Sequence, residues 1–130
     1  MKIDILKFEP EKNLKQDFID VCGENPTLDF EITFPENFPF DPPFIRVVWP
    51  KFMFRTGHVT IGGSICMESI TPSGWTSARS IEGIFMEIIS IILDKESKAR
   101  LDWSAKGHSY SYQEARSAFE RVARDHGWIK

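Results

Sequence analysis

Cysteine is nearly missing from this chain: Cys22 and Cys66 are the two it has in 130 residues. Two cysteines are too few for the disulfide framework that staples small exported domains. A signal peptide is not evident either, because Asp4 interrupts the short apolar run at the N-terminus. A reducing compartment is therefore the expectation. Long hydrophobic runs are also missing. The longest, Ile84 to Leu93, is broken by Glu87 and Ser90 and is too short to cross a bilayer, so no membrane partner is expected. Lys and Arg number 16 against 19 Asp and Glu, for a net charge of -3. With neither a basic stripe nor a charge block, nucleic acid is not an expected partner. No histidine or cysteine pair has ligand spacing: His58 and Cys66 are eight apart, and His108 and His126 lie far along the chain as surface or helix-end residues. Neither a metal nor another cofactor is expected. Gly57 to Ser64 nearly matches a phosphate loop, but Gly63 stands where that motif needs lysine, and Pro72 and Gly74 follow in place of a helix.

What is present suits one packed domain over residues 1–130, with 42% apolar and 13% aromatic residues. Met1 to Phe8 and Lys15 to Val21 read as strands separated by a turn. Leu28, Phe30, Ile32 and Phe34 alternate with polar residues, the period of a half-buried strand. Pro35 to Pro43 holds four prolines in nine residues, so it predicts an ordered, extended connection with Phe38 and Phe40 packed inward. Phe44 to Trp49 completes a four-stranded antiparallel meander. After Trp75 the period changes. Ile81, Ile84, Phe85, Ile88, Ile89 and Ile92 predict a buried helix with Ser80 as N-cap. Asp94 to Gly107 reads as irregular. Ser111 and Glu114 form a capping box for a last helix that Gly127 ends. Strands followed by helices predict an α+β fold with the helices on one side of the sheet.

Cys66 lies in Gly62-Gly63-Ser64-Ile65-Cys66-Met67-Glu68, before the polar turn Thr71-Pro72-Ser73-Gly74-Trp75. A thiol on an irregular, glycine-rich segment is open to a large partner. A cysteine hydrolase would need a histidine beside that thiol, and His58 is the sequence-near candidate. Cys22, at the start of a turn, reads as a small buried hydrophobe.

Phe34-Pro35-Glu36-Asn37-Phe38-Pro39-Phe40-Asp41-Pro42-Pro43 resembles the FPxxYPFxPP element of ubiquitin-conjugating enzymes. Gly63-Ser64-Ile65-Cys66 followed by Trp75 resembles their G-x-I-C…W segment. The glycine pair, Met67-Glu68, Gly74-Trp75 and the late Gly127-Trp128 are most similar to the Q-type branch. The resemblance covers roughly residues 28 to 130 well and the first strands weakly. It implies the family fold, a four-stranded meander with flanking helices. The helix that opens that fold and docks the activating enzyme is missing here by this reading. It also implies an acyltransferase in which Cys66 accepts ubiquitin, or a relative of it, as a thioester from an activating enzyme. The modifier then passes to a lysine or a ligase, in the cytoplasm, the nucleus or both.

The family's His-Pro-Asn is replaced by Thr56-Gly57-His58, so His58 becomes the candidate oxyanion partner. The alternative for His58 is a loop-packing role. Ligase contact in the family maps onto Phe40 and onto Thr76, Ser77 and Ala78, with Ser77 in place of the usual proline. The alternative for Phe40 is core packing. The family's acidic residue near the cysteine falls near Ala99 and Arg100. Asp94, Glu96 and Asp102 are nearby but none aligns, so no general base is assigned. The competing function is a catalytically silent relative that binds or scaffolds.

Overall fold

Leu28, Phe30 and Ile32 alternate with Asp29, Glu31 and Thr33, and this period of two builds the central strand of the sheet. The computed structural model describes residues 1–129. Its order is β1 (Lys2–Asp4), α1 (Lys12–Cys22), β2 (Thr27–Thr33), β3 (Phe44–Trp49), α2 (Ile81–Leu93) and α3 (Tyr112–Asp125). The fold is α+β, with an antiparallel sheet of order β1-β2-β3.

Register places Phe30 opposite Val47 and Ile32 opposite Ile45 on one face, with Glu31 opposite Arg46 and Thr33 opposite Phe44 on the other. The first face meets α2. Phe30 and Phe85 pack edge to face at 5.5 Å, and Ile84, Phe85, Ile88, Ile89 and Ile92 are buried there. The Ser80 hydroxyl accepts from the Gly83 N–H at 3.0 Å and starts this helix, as the sequence predicts.

The second face meets α3. The Phe44 ring packs against Tyr112 at 5.6 Å and Phe119 at 5.5 Å. Arg46, buried, pairs with Glu31 at 2.9 Å and donates to the Tyr110 carbonyl at 3.1 Å. Phe44 to Val47 are therefore all buried, so β3 is covered on both faces and the helices do not share one side as expected. The predicted capping box at Ser111 and Glu114 is formed in both directions, and Gly127 follows α3 with a left-handed φ of 76°.

Lys15 to Val21 is helix, not strand. Leu14, Phe18 and Val21 are its buried residues, spaced four and three apart, which is a helical period. Leu14 lies just outside the window that reads as a strand. The Glu11 carboxylate caps the helix by accepting from the Asn13 and Leu14 N–H groups. The sheet therefore has three strands among the described residues, where four were expected, and an early helix is present, after β1 rather than before it. The Asp17 carboxylate fixes α1 to the far end of the chain. It accepts from Arg100 at 2.6 and 3.0 Å and from the Leu101 N–H at 3.1 Å.

Candidate active site

A glycine pair sets the loop that carries the thiol. A Cβ at Gly62 would lie 2.1 Å from the carbonyl oxygen of Glu114 in α3. One at Gly63, where φ is +98°, would lie 2.5 Å from the Tyr110 ring. Neither neighbour is a free side-chain tip, so only glycine lets the loop lie this close. Residues 58–66 then fold as a small hairpin. Val59 bridges Ile65, the Thr60 N–H donates to the Ser64 carbonyl at 2.8 Å, and the Cys66 N–H donates to the His58 carbonyl at 2.8 Å. The Thr60 and Ser64 hydroxyls, both buried, are 2.7 Å apart. The Val47 N–H, donating to the Gly63 carbonyl at 2.7 Å, moors the hairpin to β3.

The chain beyond Cys66 is equally tied. Ser69 Oγ donates to Glu87 of α2 at 3.1 Å, and Arg79 pairs with the other oxygen of that carboxylate. Gly74 passes so close to Glu68 that a Cβ would lie 2.7 Å from its carbonyl oxygen. The backbone on both sides of Cys66 is therefore anchored to packed elements, while the side chain remains half-buried.

Cys66 and His58 share one groove of about 600 Å³. The loop 54–61 forms one wall, Glu96 and Ser97 another, and Arg121, Val122 and His126 of the α3 end a third. Burial pushes the Cys66 thiol above its ordinary pKa, and the sulfur makes no hydrogen bond among the described residues. The His58 imidazole is exposed and also makes none among them. The Cys-His pair that a hydrolase needs is not assembled. What His58 supplies is its carbonyl, which takes the Cys66 N–H. Its own φ is 59°, a left-handed conformation in which His and Asn are enriched among non-glycine residues.

The two motifs behind the family resemblance meet in space. The Trp75 indole N–H donates to the Pro39 carbonyl at 2.8 Å, and Phe38 packs between Phe34 at 4.8 Å and Trp75 at 6.3 Å. The segment is turned rather than extended, with Phe40 N–H donating to the Asn37 carbonyl at 2.7 Å. Neither aromatic of the segment reaches the core as expected: Phe38 is half-buried in this cluster, and Phe40 is 77% exposed, which excludes core packing for it. Thr76, Ser77 and Ala78 are exposed as well. These residues sit outside the lining of the Cys66 groove.

Of the acids near the expected position, Asp94 caps Glu96 and Asp102 caps Ser104 through their side chains, while Glu96 lines the groove. His126 is the helix-end residue the sequence suggests, and it lines the same groove. Sequence reasoning gives it no role, because sixty residues separate it from Cys66. Cys22 is half-buried against the core, with its thiol 3.9 Å from the Thr27 carbonyl.

The thiol thus sits on a moored loop of an α+β fold whose proline-rich turn is clamped by a tryptophan. The family model for ubiquitin-conjugating enzymes matches residues 9–126, and the chain belongs to that family. It is 36% identical to human ubiquitin-conjugating enzyme E2 Q1 over 132 aligned positions, which cover 97% of this chain and 30% of that protein. The mouse protein of the same name matches to the same extent. The chain is 40% identical to ubiquitin-conjugating enzyme E2 25 of Caenorhabditis elegans over 125 positions, covering 93% of the chain and 30% of the relative. The first two names agree with the Q-type resemblance. The chain spans about 30% of the length of these relatives.

Proposed function

We propose that the chain is a carrier of ubiquitin, or of a ubiquitin-like protein, and that Cys66 holds the modifier as a thioester. One observation carries this reading: the Cys66 side chain is half-open to a groove while its backbone is fixed on both sides. In the first step the Cys66 sulfur attacks the thioester carbonyl on the activating enzyme. A new C–S bond forms, the enzyme's thiolate leaves, and the proton lost by Cys66 compensates that thiolate. In the second step an amine attacks the Cys66 thioester, the C–S bond breaks and the Cys66 thiol is restored. Both steps need orientation and support for the oxyanion more than intrinsic driving force.

His58 contributes by fixing the Cys66 main chain through its carbonyl. Its exposed imidazole is free to donate to an oxyanion in the groove. Phe40, Ser77 and Ala78 form the ligase-facing surface, a role favoured by the exposure of all three and by the Trp75–Pro39 hydrogen bond that joins their loops. The setting is the cytoplasm, the nucleus or both.

The test is incubation with activating enzyme, ATP and ubiquitin, followed by a non-reducing gel. The proposal expects a thiol-sensitive adduct that persists in Cys22→Ala and vanishes in Cys66→Ala. An adduct that survives Cys66→Ala would reject it.

A further inference from the structure

The groove that holds Cys66 contains a second nitrogen base with a defined hydrogen-bonding state. His126 sits at the C-cap of α3 and lines the groove with Cys66, His58, Glu96, Arg55 and Arg121. Its Nδ1 lies 2.8 Å from the Val122 carbonyl oxygen. A carbonyl cannot donate, so Nδ1 must carry the hydrogen. In the neutral ring Nε2 is then an unprotonated acceptor. The ring is also stacked on Trp128, with centroids 4.4 Å apart and planes inclined by 23°. The hydrogen bond and the stack limit its rotamers, which is what a positioned base requires. The other polar side chains of the groove fit less well. Arg55 and Arg121 cannot accept a proton at working pH. Glu96 is a carboxylate on a short turn at Lys95–Ser97, with no side-chain hydrogen bond among the described residues to orient it. The His58 imidazole has no partner among the described residues to set its tautomer.

We propose that His126 Nε2 is the proton acceptor for the nucleophile that discharges the Cys66 thioester. This rests on the reading of Cys66 as the thioester site. In the step, the substrate amine nitrogen bonds to the thioester carbonyl carbon and loses a proton to Nε2. The C–S bond breaks, an amide forms, and the proton passes from Nε2 to the leaving Cys66 sulfur. His126 ends neutral and Cys66 ends as a thiol, so no outside reactant is consumed.

The test uses the charged protein. Ubiquitin is loaded onto the wild-type chain and onto His126→Gln, loading is quenched, and free lysine is added. The discharge rate is taken per thioester present at the start. General-base loss is ordinarily worth about 100-fold or more, so a drop of roughly this size is expected in His126→Gln. Added imidazole should recover part of it in the variant and little in the wild type. The bell or step in the wild-type discharge-against-pH curve should flatten in the variant. His126→Asn, short and suited to a helix end, gives the same readout if a thermal melt shows that Gln disturbs α3. An unchanged discharge rate in either folded variant overturns the proposal, as does a loss that imidazole leaves untouched with the pH curve unaltered. A wild-type chain that never charges overturns the thioester reading instead, and this inference with it.

Discussion

At Cys66 the surroundings keep the thiol protonated. Burial raises its pKa, no hydrogen-bond donor reaches its sulfur among the described residues, and thiolate is the reacting form. Alkylation by iodoacetamide should therefore quicken about tenfold per pH unit from 7 to 8.5, without a plateau. A plateau below pH 8 would mean an activated thiolate that the groove does not explain. At the start of the same hairpin, His58 shows why alanine is a poor probe. Its φ of 59° costs an alanine on the order of 1 kcal/mol and a glycine little. His58→Gly should be more stable to urea than His58→Ala by about that amount, with His58→Asn between them. Equal midpoints would show that the backbone at 58 relaxes. Cys66 stands out as a candidate site because its rare flanking motifs are local in sequence. The left-handed backbone of His58 does not, because φ leaves no trace in residue type beyond a weak preference for His and Asn.

Elements whose partners are local in sequence are the legible ones. The capping box of α3, the Ser80 cap of α2 and the alternation of β2 each need only neighbouring residues. Helix α1 escapes a local reading because its buried residues, Leu14, Phe18 and Val21, are few and the residues between them are mixed. Its stability rests partly on Asp17, whose carboxyl feels opposing influences. Burial would raise its pKa, but hydrogen bonds from Arg100 and the Leu101 N–H, with the Arg100 charge, hold it below the ordinary value. A depressed folded value stabilises above the unfolded pKa of about 3.9 and is lost as pH falls through the folded one. Asp17→Asn should therefore lower the melting temperature near pH 7, and the gap to wild type should close below about pH 4. A gap constant from pH 7 to 3 would contradict the ion pair. Gly62 links two elements. With a Cβ only 2.1 Å from the Glu114 carbonyl, Gly62→Ala should lift the loop from α3 and slow charging of Cys66 more than tenfold, while Gly107→Ala, in open space, should leave it unchanged.

For the whole molecule, the expectation of helices on one side of the sheet fails at β3. Phe44 to Val47 looks like a plain apolar strand. It is buried on both faces, with α3 covering the side that carries Arg46. That Arg46 pairs with Glu31 and donates to the Tyr110 carbonyl, 64 residues away, leaves no mark in the local pattern. The same long-range closure brings the end of α3 to Cys66 and makes the groove a product of both chain halves. Phe40 reads as inward because aromatics between prolines usually pack. Here Trp75 packs against the core, Phe38 lies half-buried on it, and Phe40 is left outside.

The central claim is that the modifier bonds to one atom, the sulfur of Cys66. Replacing that sulfur by oxygen tests it most directly. When Cys66→Ser is charged with activating enzyme, ATP and ubiquitin, an oxygen ester should form that withstands reductant and is cleaved by hydroxide. Mass spectrometry of its peptides should place the added mass on residue 66. A reductant-resistant adduct mapped to any other residue, or wild-type adducts mapped to Cys22, would contradict the account.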